Sequence, residues 1–208
     1  MDTRIMVVSA SAIYKTPRGF SDMLMMSDGD VLTGLHFVDS RNVIKECRDC
    51  EGRDIPVFRE TRRWLDEYFG GREPGFKPPH RIDGLTSFRK EVIDAMLEIP
   101  FGETATYGDI AAAIAKKRGM KRMSAQAVGG AVGWNPICII IPCHRVIGAN
   151  GSLVGYGGGI KNKIALLEHD AVVARDKRLA FGAVDENGVD VIFLRRGELR
   201  PHGEGRAA

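Results

Sequence analysis

No apolar run in the 208-residue sequence reaches the length of a bilayer span, so no membrane helix is expected. The first residues, MDTRIMVVSASAIY, lack a signal-peptide layout, which points to the cytoplasm. Cysteine is scarce, at Cys47, Cys50, Cys138 and Cys143 only. Cys47 and Cys50 form an isolated Cys-x-x-Cys, but no second cysteine or histidine pair follows at zinc spacing. Two ordinary thiols in a polar loop are therefore expected, and no metal. Cys138, inside an apolar run, reads as core. A strong charge of one sign is missing too: the formal net charge is +3, which by itself selects no partner.

What is present suits a globular chain, 44% hydrophobic and 27% charged, long enough for one large or two small domains. Residues 1–100 carry 15 basic and 17 acidic side chains, whereas residues 101–208 carry 15 and 10. The basic excess lies in the C-terminal half, where contact with a polyanion would need it.

Along the chain, residues 1–38 read as β-structure. Val31–Val38 alternates apolar and polar residues, and the turn Ser27-Asp28-Gly29-Asp30 joins it to Met23–Met26 in a hairpin. Arg41–Asp54 reads as a loop. Val57, Thr61, Trp64, Leu65 and Tyr68 share one face of a helix over Val57–Phe69. Gly70–Asp83 is rich in proline, glycine and charge and reads as a linker. A helix over Thr86–Glu98 follows. Another starts at Thr106, an N-cap with Asp109 three residues on, and a third runs from Ser124 to Gly133. Between the last two lies Lys116–Arg122, with five basic residues in seven. Two short helices joined by a tight basic turn make a helix-turn-helix, although small residues on a helix more often mean close packing than DNA contact. A further helix is expected over Ile160–Asp170. The extension 171–208 suggests a hairpin, Leu179–Val184 with Val189–Leu194, and then a disordered tail.

The chemistry concentrates in Asn135–Tyr156, NPICIIIPCHRVIGANGSLVGY. Ile137–Ile141 reads as a buried strand that delivers Cys143, followed by His144 and Arg145, to the rim of a pocket with a glycine-rich wall. A thiolate is the nucleophilic form of cysteine, and nearby cations lower its pKa from about 8.5. His144 and Arg145 are the nearest candidates in sequence for that effect.

Pro-Cys-His-Arg after an apolar run, the Gly-Tyr-x-Gly-Gly loop and a Leu-Leu-x-His-acid helix together closely resemble the active-site segment of the methylated-DNA–protein-cysteine methyltransferases, which repair O6-alkylguanine. Weaker likeness extends to IPVxxET…WLDEYF and the Phe-x-Pro-Pro segment. The resemblance implies a ribonuclease H-like α/β N-terminal domain over 1–78, mainly structural. It also implies a helix-turn-helix, winged-helix-like domain over 79–170 that binds DNA and accepts the alkyl group, with 171–208 as an extension. The implied partner is double-stranded DNA containing O6-alkylguanine, with O4-alkylthymine as a further substrate. The protein would act as a monomer, without a cofactor, and would react once.

The resemblance also implies roles for residues. Cys143 is the nucleophile, His144 the base through a bound water, and the carboxylate that orients His144 falls on Asp170. The family has a glutamate there, one methylene longer. Glu168 lies about 200° away around the helix and is a poor substitute at ~100° per residue. Tyr107 protonates the flipped base at N3, and Asn135 braces the site. The carbonyls of Cys143 and Val146 read the guanine amino group, and Tyr156, Gly157 and Gly158 form the lid. Ser124, Ala125, Gln126, Ala127, Gly130, Arg145 and Tyr107 face DNA, Gln126 standing where the family often has an arginine that fills the gap left by the extruded base. Two other classes remain at this level: a helix-turn-helix DNA-binding regulator without alkyl transfer, and a cysteine hydrolase, for which no oxyanion hole is evident.

Overall fold

The computed structural model describes residues 10–40, 54–153 and 155–173. The expected loop at 41–53, with Cys47 and Cys50, and the expected hairpin and tail beyond residue 173 lie outside the described residues. Three antiparallel strands open the chain in the order β1 (Ala10–Tyr14), β2 (Met23–Ser27) and β3 (Leu32–Phe37). The expected hairpin is β2–β3, with Met23 opposite Phe37 and Met25 opposite Leu35. Its turn is closed by Asp28, whose carboxylate accepts from the backbone N–H groups of Asp30 and Val31 at 3.0 and 2.9 Å.

The alternation read in β3 does not give one wet face, because every residue of Leu32–Phe37 is buried. The cause is tertiary. The chain around Pro136–Cys138 pairs with the free side of β3, Leu35 N–H donating to Pro136 O and Cys138 N–H to Leu35 O, both at 2.8 Å. An edge that would otherwise expose unpaired backbone is thus covered. The N-terminal sheet consequently anchors the segment that carries Cys143.

Helix α1 (Pro56–Phe69) buries Val57, Thr61, Trp64, Leu65 and Tyr68, the face read from spacing. Residues 70–83 have no regular element beyond an isolated bridge of His80 to Leu32. Helix α2 (Ser87–Leu97) starts at an N-cap Thr86 whose hydroxyl accepts from Arg89 N–H. A two-residue strand β4 (Ala105–Thr106) leads into α3 (Tyr107–Lys117), where Thr106 and Asp109 form a reciprocal capping box. Helix α4 (Ala125–Gly133) is capped by Ser124. Strand β5 (Val146–Ile147) pairs in parallel with β4, and α5 (Ile160–Val173) runs three residues past the expected end. A contiguous apolar cluster links the sheet, α1 to α4, Ile137–Ile141 and Leu166 of α5. Among the described residues no helix is long and apolar enough to cross a membrane.

Candidate active site

Ile137–Ile141 is not the strand its apolar run suggests. Ile141 N–H donates to Ile137 O at 3.1 Å and Ile140 N–H to Cys138 O at 2.9 Å, so the segment folds back on itself. Ile139 adopts a left-handed conformation with φ 69°, costly for a β-branched residue by roughly 1–3 kcal/mol. Asn135 holds the turn. Its amide donates to Ile141 O at 2.9 Å and to Cys143 Sγ at 3.0 Å, while its Oδ1 accepts from Ile137 N–H at 3.0 Å. One side chain thus fixes the backbone and touches the Cys143 sulfur.

Cys143, His144 and Arg145 form a 3-10 turn, which sends three consecutive side chains in different directions. Cys143 is 5% exposed and faces a cavity lined also by Tyr107, Val132, Asn135, Cys138, Gly155 and Tyr156. Its thiol is lowered to about 7. The first cause is the Cys138 thiol, which donates toward the sulfur, followed by Asn135 and the Lys163 ammonium, all working against burial. His144 and Arg145, the expected cations, are not responsible: His144 is held below its ordinary value by burial, and Arg145 is committed elsewhere. Cys143 is thus drawn toward the thiolate, whereas Cys138 is held well above its usual range by the hydrogen bond to Cys143 and by burial.

His144 is fully buried, and its Nε2 lies 3.1 Å from Asp170 Oδ2. Because Asp170 is ionised and can only accept, Nε2 carries the proton and Nδ1 is the basic nitrogen. Nδ1 is buried and finds no partner among the described residues. Burial alone would raise Asp170, but His144, Arg145 and Tyr68 hold it at about 2. Since His144 is neutral at pH 7, the permanent positive charge beside this carboxylate is Arg145, whose Nε donates at 2.7 Å. Tyr68 of α1 donates its hydroxyl to Asp170 Oδ1, also at 2.7 Å. The one-methylene-shorter acid therefore does reach the histidine, while Glu168 is exposed.

Three other expectations meet different surroundings. Arg145 does not face outward as a DNA contact: it is 7% exposed, its Nη1 donates to Ile99 O at 2.9 Å, and its guanidinium lies 4.6 Å from the Phe101 ring centre. The Val146 carbonyl, expected to read a base, accepts from Lys163 Nζ at 2.6 Å. Cys138, expected as plain core, lines the cavity. Tyr107, the first residue of α3, also lines it, and its hydroxyl is raised by burial and by the nearby Cys143 charge. Gly158 is required sterically, since a Cβ there would sit 2.7 Å from the Tyr156 ring and 2.9 Å from Phe37. Gly157 lines the cavity as well.

Helix α4 connects this cavity to the surface. Its last turn supplies Val132 and Gly133 to the lining, whereas Ser124, Ala125, Gln126, Ala127 and Gly130 are exposed. The basic turn Lys116–Arg122 is exposed beside them, although Arg118 is paired with Glu91 at 2.9 Å.

Sequence reasoning missed Lys163, Tyr68 and His36. Lys163 is fully buried and lowered to about 8 by burial. A signal for it was present, because 163, 166, 167 and 170 fall on one face of a helix, so a lysine there sits among Leu166, Leu167 and Asp170. Tyr68 read as core, which it also is. His36 on β3 lines the cavity, a contact that depends on the docking of Pro136–Cys138 and that local pattern cannot reveal.

Comparison with known proteins bears on this constellation. Residues 87–172 match the family described as 6-O-methylguanine DNA methyltransferase, DNA binding domain. The chain is 35% identical over 170 residues to a methylated-DNA–protein-cysteine methyltransferase of Haemophilus influenzae, covering 80% of this chain and 91% of the relative. It is 41% identical over 157 residues to the protein of that name from Methanosarcina acetivorans, covering 76% and 95%. Among solved structures it resembles the Mycobacterium tuberculosis OGT in complex with DNA, with a TM-score of 0.65 and 38% identity over 79% of this chain and 94% of that one.

Proposed function

Because the chain belongs to the methylated-DNA–protein-cysteine methyltransferase family, we propose that Cys143 is the sulfur onto which it moves the alkyl group of O6-alkylguanine in duplex DNA. The protein is a DNA repair enzyme, a methylated-DNA–[protein]-cysteine S-methyltransferase. The observation that carries the assignment of Cys143 is a thiol lowered to about 7 on the wall of a cavity that also holds Tyr107 and Asn135.

In this reading the Cys143 thiolate attacks the alkyl carbon, the carbon–oxygen bond breaks, and the electron pair stays on the guanine. Tyr107 supplies a proton to the departing base. His144 takes the thiol proton at its unpartnered Nδ1 through a water, while Asp170, held by Arg145 and Tyr68, fixes the ring. A thioether has no route back to thiol, so each molecule reacts once. No cofactor takes part in these steps.

The free space in the cavity is only about 10 Å³, room for about one water. A purine is admitted, in this reading, only when Tyr156 and the loop to Gly159 swing aside. The exposed N-terminal part of α4 lies on DNA with Gln126 beneath the extruded base, and O4-alkylthymine is the second substrate. We read residues 1–78 as a ribonuclease H-like unit and 79–170 as a winged-helix-like unit, in a cytoplasmic monomer with 171–208 as an extension.

The test is incubation with duplex DNA carrying O6-methylguanine, followed by mass spectrometry of the tryptic peptide 123–145. Addition of about 14 Da at Cys143, absent in Cys143→Ala, is expected. DNA binding without a transferred methyl group would instead indicate a non-catalytic regulator.

A further inference from the structure

We propose that Cys143 and Cys138 form a hydroperoxide-reactive dithiol, in which oxidation of Cys143 is resolved by Cys138 into a reversible intramolecular disulfide. The two thiols line the same cavity, and they are the two free cysteines among the described residues. The backbone brings them together. Ile141 N–H closes on Ile137 O at 3.1 Å, Cys143 N–H donates to Ile141 O at 2.8 Å, and Cys138 bridges to Ile141. Asn135 clamps this turn from the side.

The cavity chooses the reactant by size. With free space of about 10 Å³ the closed cavity excludes a purine, whereas hydrogen peroxide, only two oxygen atoms in size, needs far less opening to reach Cys143. A thiolate without bound DNA is therefore open chiefly to small oxidants. Left alone, a sulfenic acid at Cys143 would pass on to sulfinic acid and the acceptor would be lost.

The steps balance. The Cys143 thiolate attacks one peroxide oxygen, an S–O bond forms, the O–O bond breaks, and the leaving oxygen takes up a proton; cysteine is oxidised to sulfenic acid and peroxide is reduced to water. The Cys138 sulfur then attacks Cys143 Sγ, the S–S bond forms, and hydroxide departs with the Cys138 proton as water. The first step also removes the negative charge on Cys143 that helps keep Cys138 protonated, so the resolving thiol is freed to react when it is needed.

The disulfide is independent of alkyl transfer, and only its consequence, a recoverable acceptor, rests on the proposed function. The test uses the full chain without DNA, treated with hydrogen peroxide, and reads peptide 123–145, which contains both cysteines. The wild-type peptide is expected to lose about 2 Da and to return to its starting mass with a thiol reductant. In Cys138→Ala the same peptide should gain about 32 Da and stay there. Wild-type peptide gaining the 32 Da directly, or Cys143 pairing with Cys47 or Cys50, would overturn the proposal. Should the variant fail to fold, the wild-type masses still decide. Loss of methyl transfer in the reduced, peroxide-free protein would count against the proposed function and leave the disulfide standing.

Discussion

The two sides of His144 differ in kind. Toward Asp170, hydrogen-bonding capacity is filled: Oδ1 takes the Tyr68 hydroxyl, Oδ2 takes His144 and Arg145, and Arg145 is further tied to Ile99 and packed on Phe101. Away from Asp170, capacity is left open: His144 Nδ1 and Ser40 Oγ are buried without partners among the described residues. Unmade hydrogen bonds in a protein interior cost about 1–3 kcal/mol each, so they persist where a ligand or water is to complete them. The first side holds geometry, and the second leaves room for a further partner.

Substitutions can break or sharpen this contrast. Asp170→Ala should be most damaging, because it strands a buried guanidinium as well as freeing His144. We expect about 3–5 kcal/mol of lost stability in urea denaturation and at least a hundredfold slower methyl transfer. Tyr68→Phe, which removes one donor to the same carboxylate, should cost about 1–2 kcal/mol by the same measurement.

On the open side, Lys163→Met removes a charge that helps hold the thiolate. The pH midpoint for oxidation of Cys143 by hydrogen peroxide, about 7 in the wild type, should move up by about 1 in pH, leaving oxidation about tenfold slower below that midpoint. An unchanged midpoint would remove Lys163 from the electrostatics of the site.

His36 offers a stability test of the same cavity. Burial holds its pKa at about 4, so the unfolded chain binds a proton that the folded chain refuses between pH 6.5 and 4. Stability is full above the unfolded value and falls as pH drops through that window, by roughly 3 kcal/mol. His36→Gln should flatten this part of the stability–pH curve. The smallest expected effect is at the surface: Gln126→Arg should steepen the salt dependence of DNA binding by about one counterion, read from affinity against salt concentration.

Much of the scaffold was legible because its signals are local. The Thr106–Asp109 capping box, the apolar face of α1 and the Asp28-Gly29 turn each follow from residues within a few positions of one another. Cys143, His144 and Asp170 could be singled out by motif. The apolar run Ile137–Ile141 misled because periodicity cannot separate a buried strand from a buried turn, and the turn exists through Asn135 hydrogen bonds and a strained Ile139.

The sequence by itself determined which of the described helices form, where they start and which thiol sits in a reactive motif, since capping, spacing and glycine placement act over one or two turns. Only the tertiary structure decided what lies against that thiol. Cys138, Lys163 and His36 come from a folded-back turn, from α5 and from β3, and a charge in a low-dielectric interior is governed by what is near in space, whatever the distance along the chain.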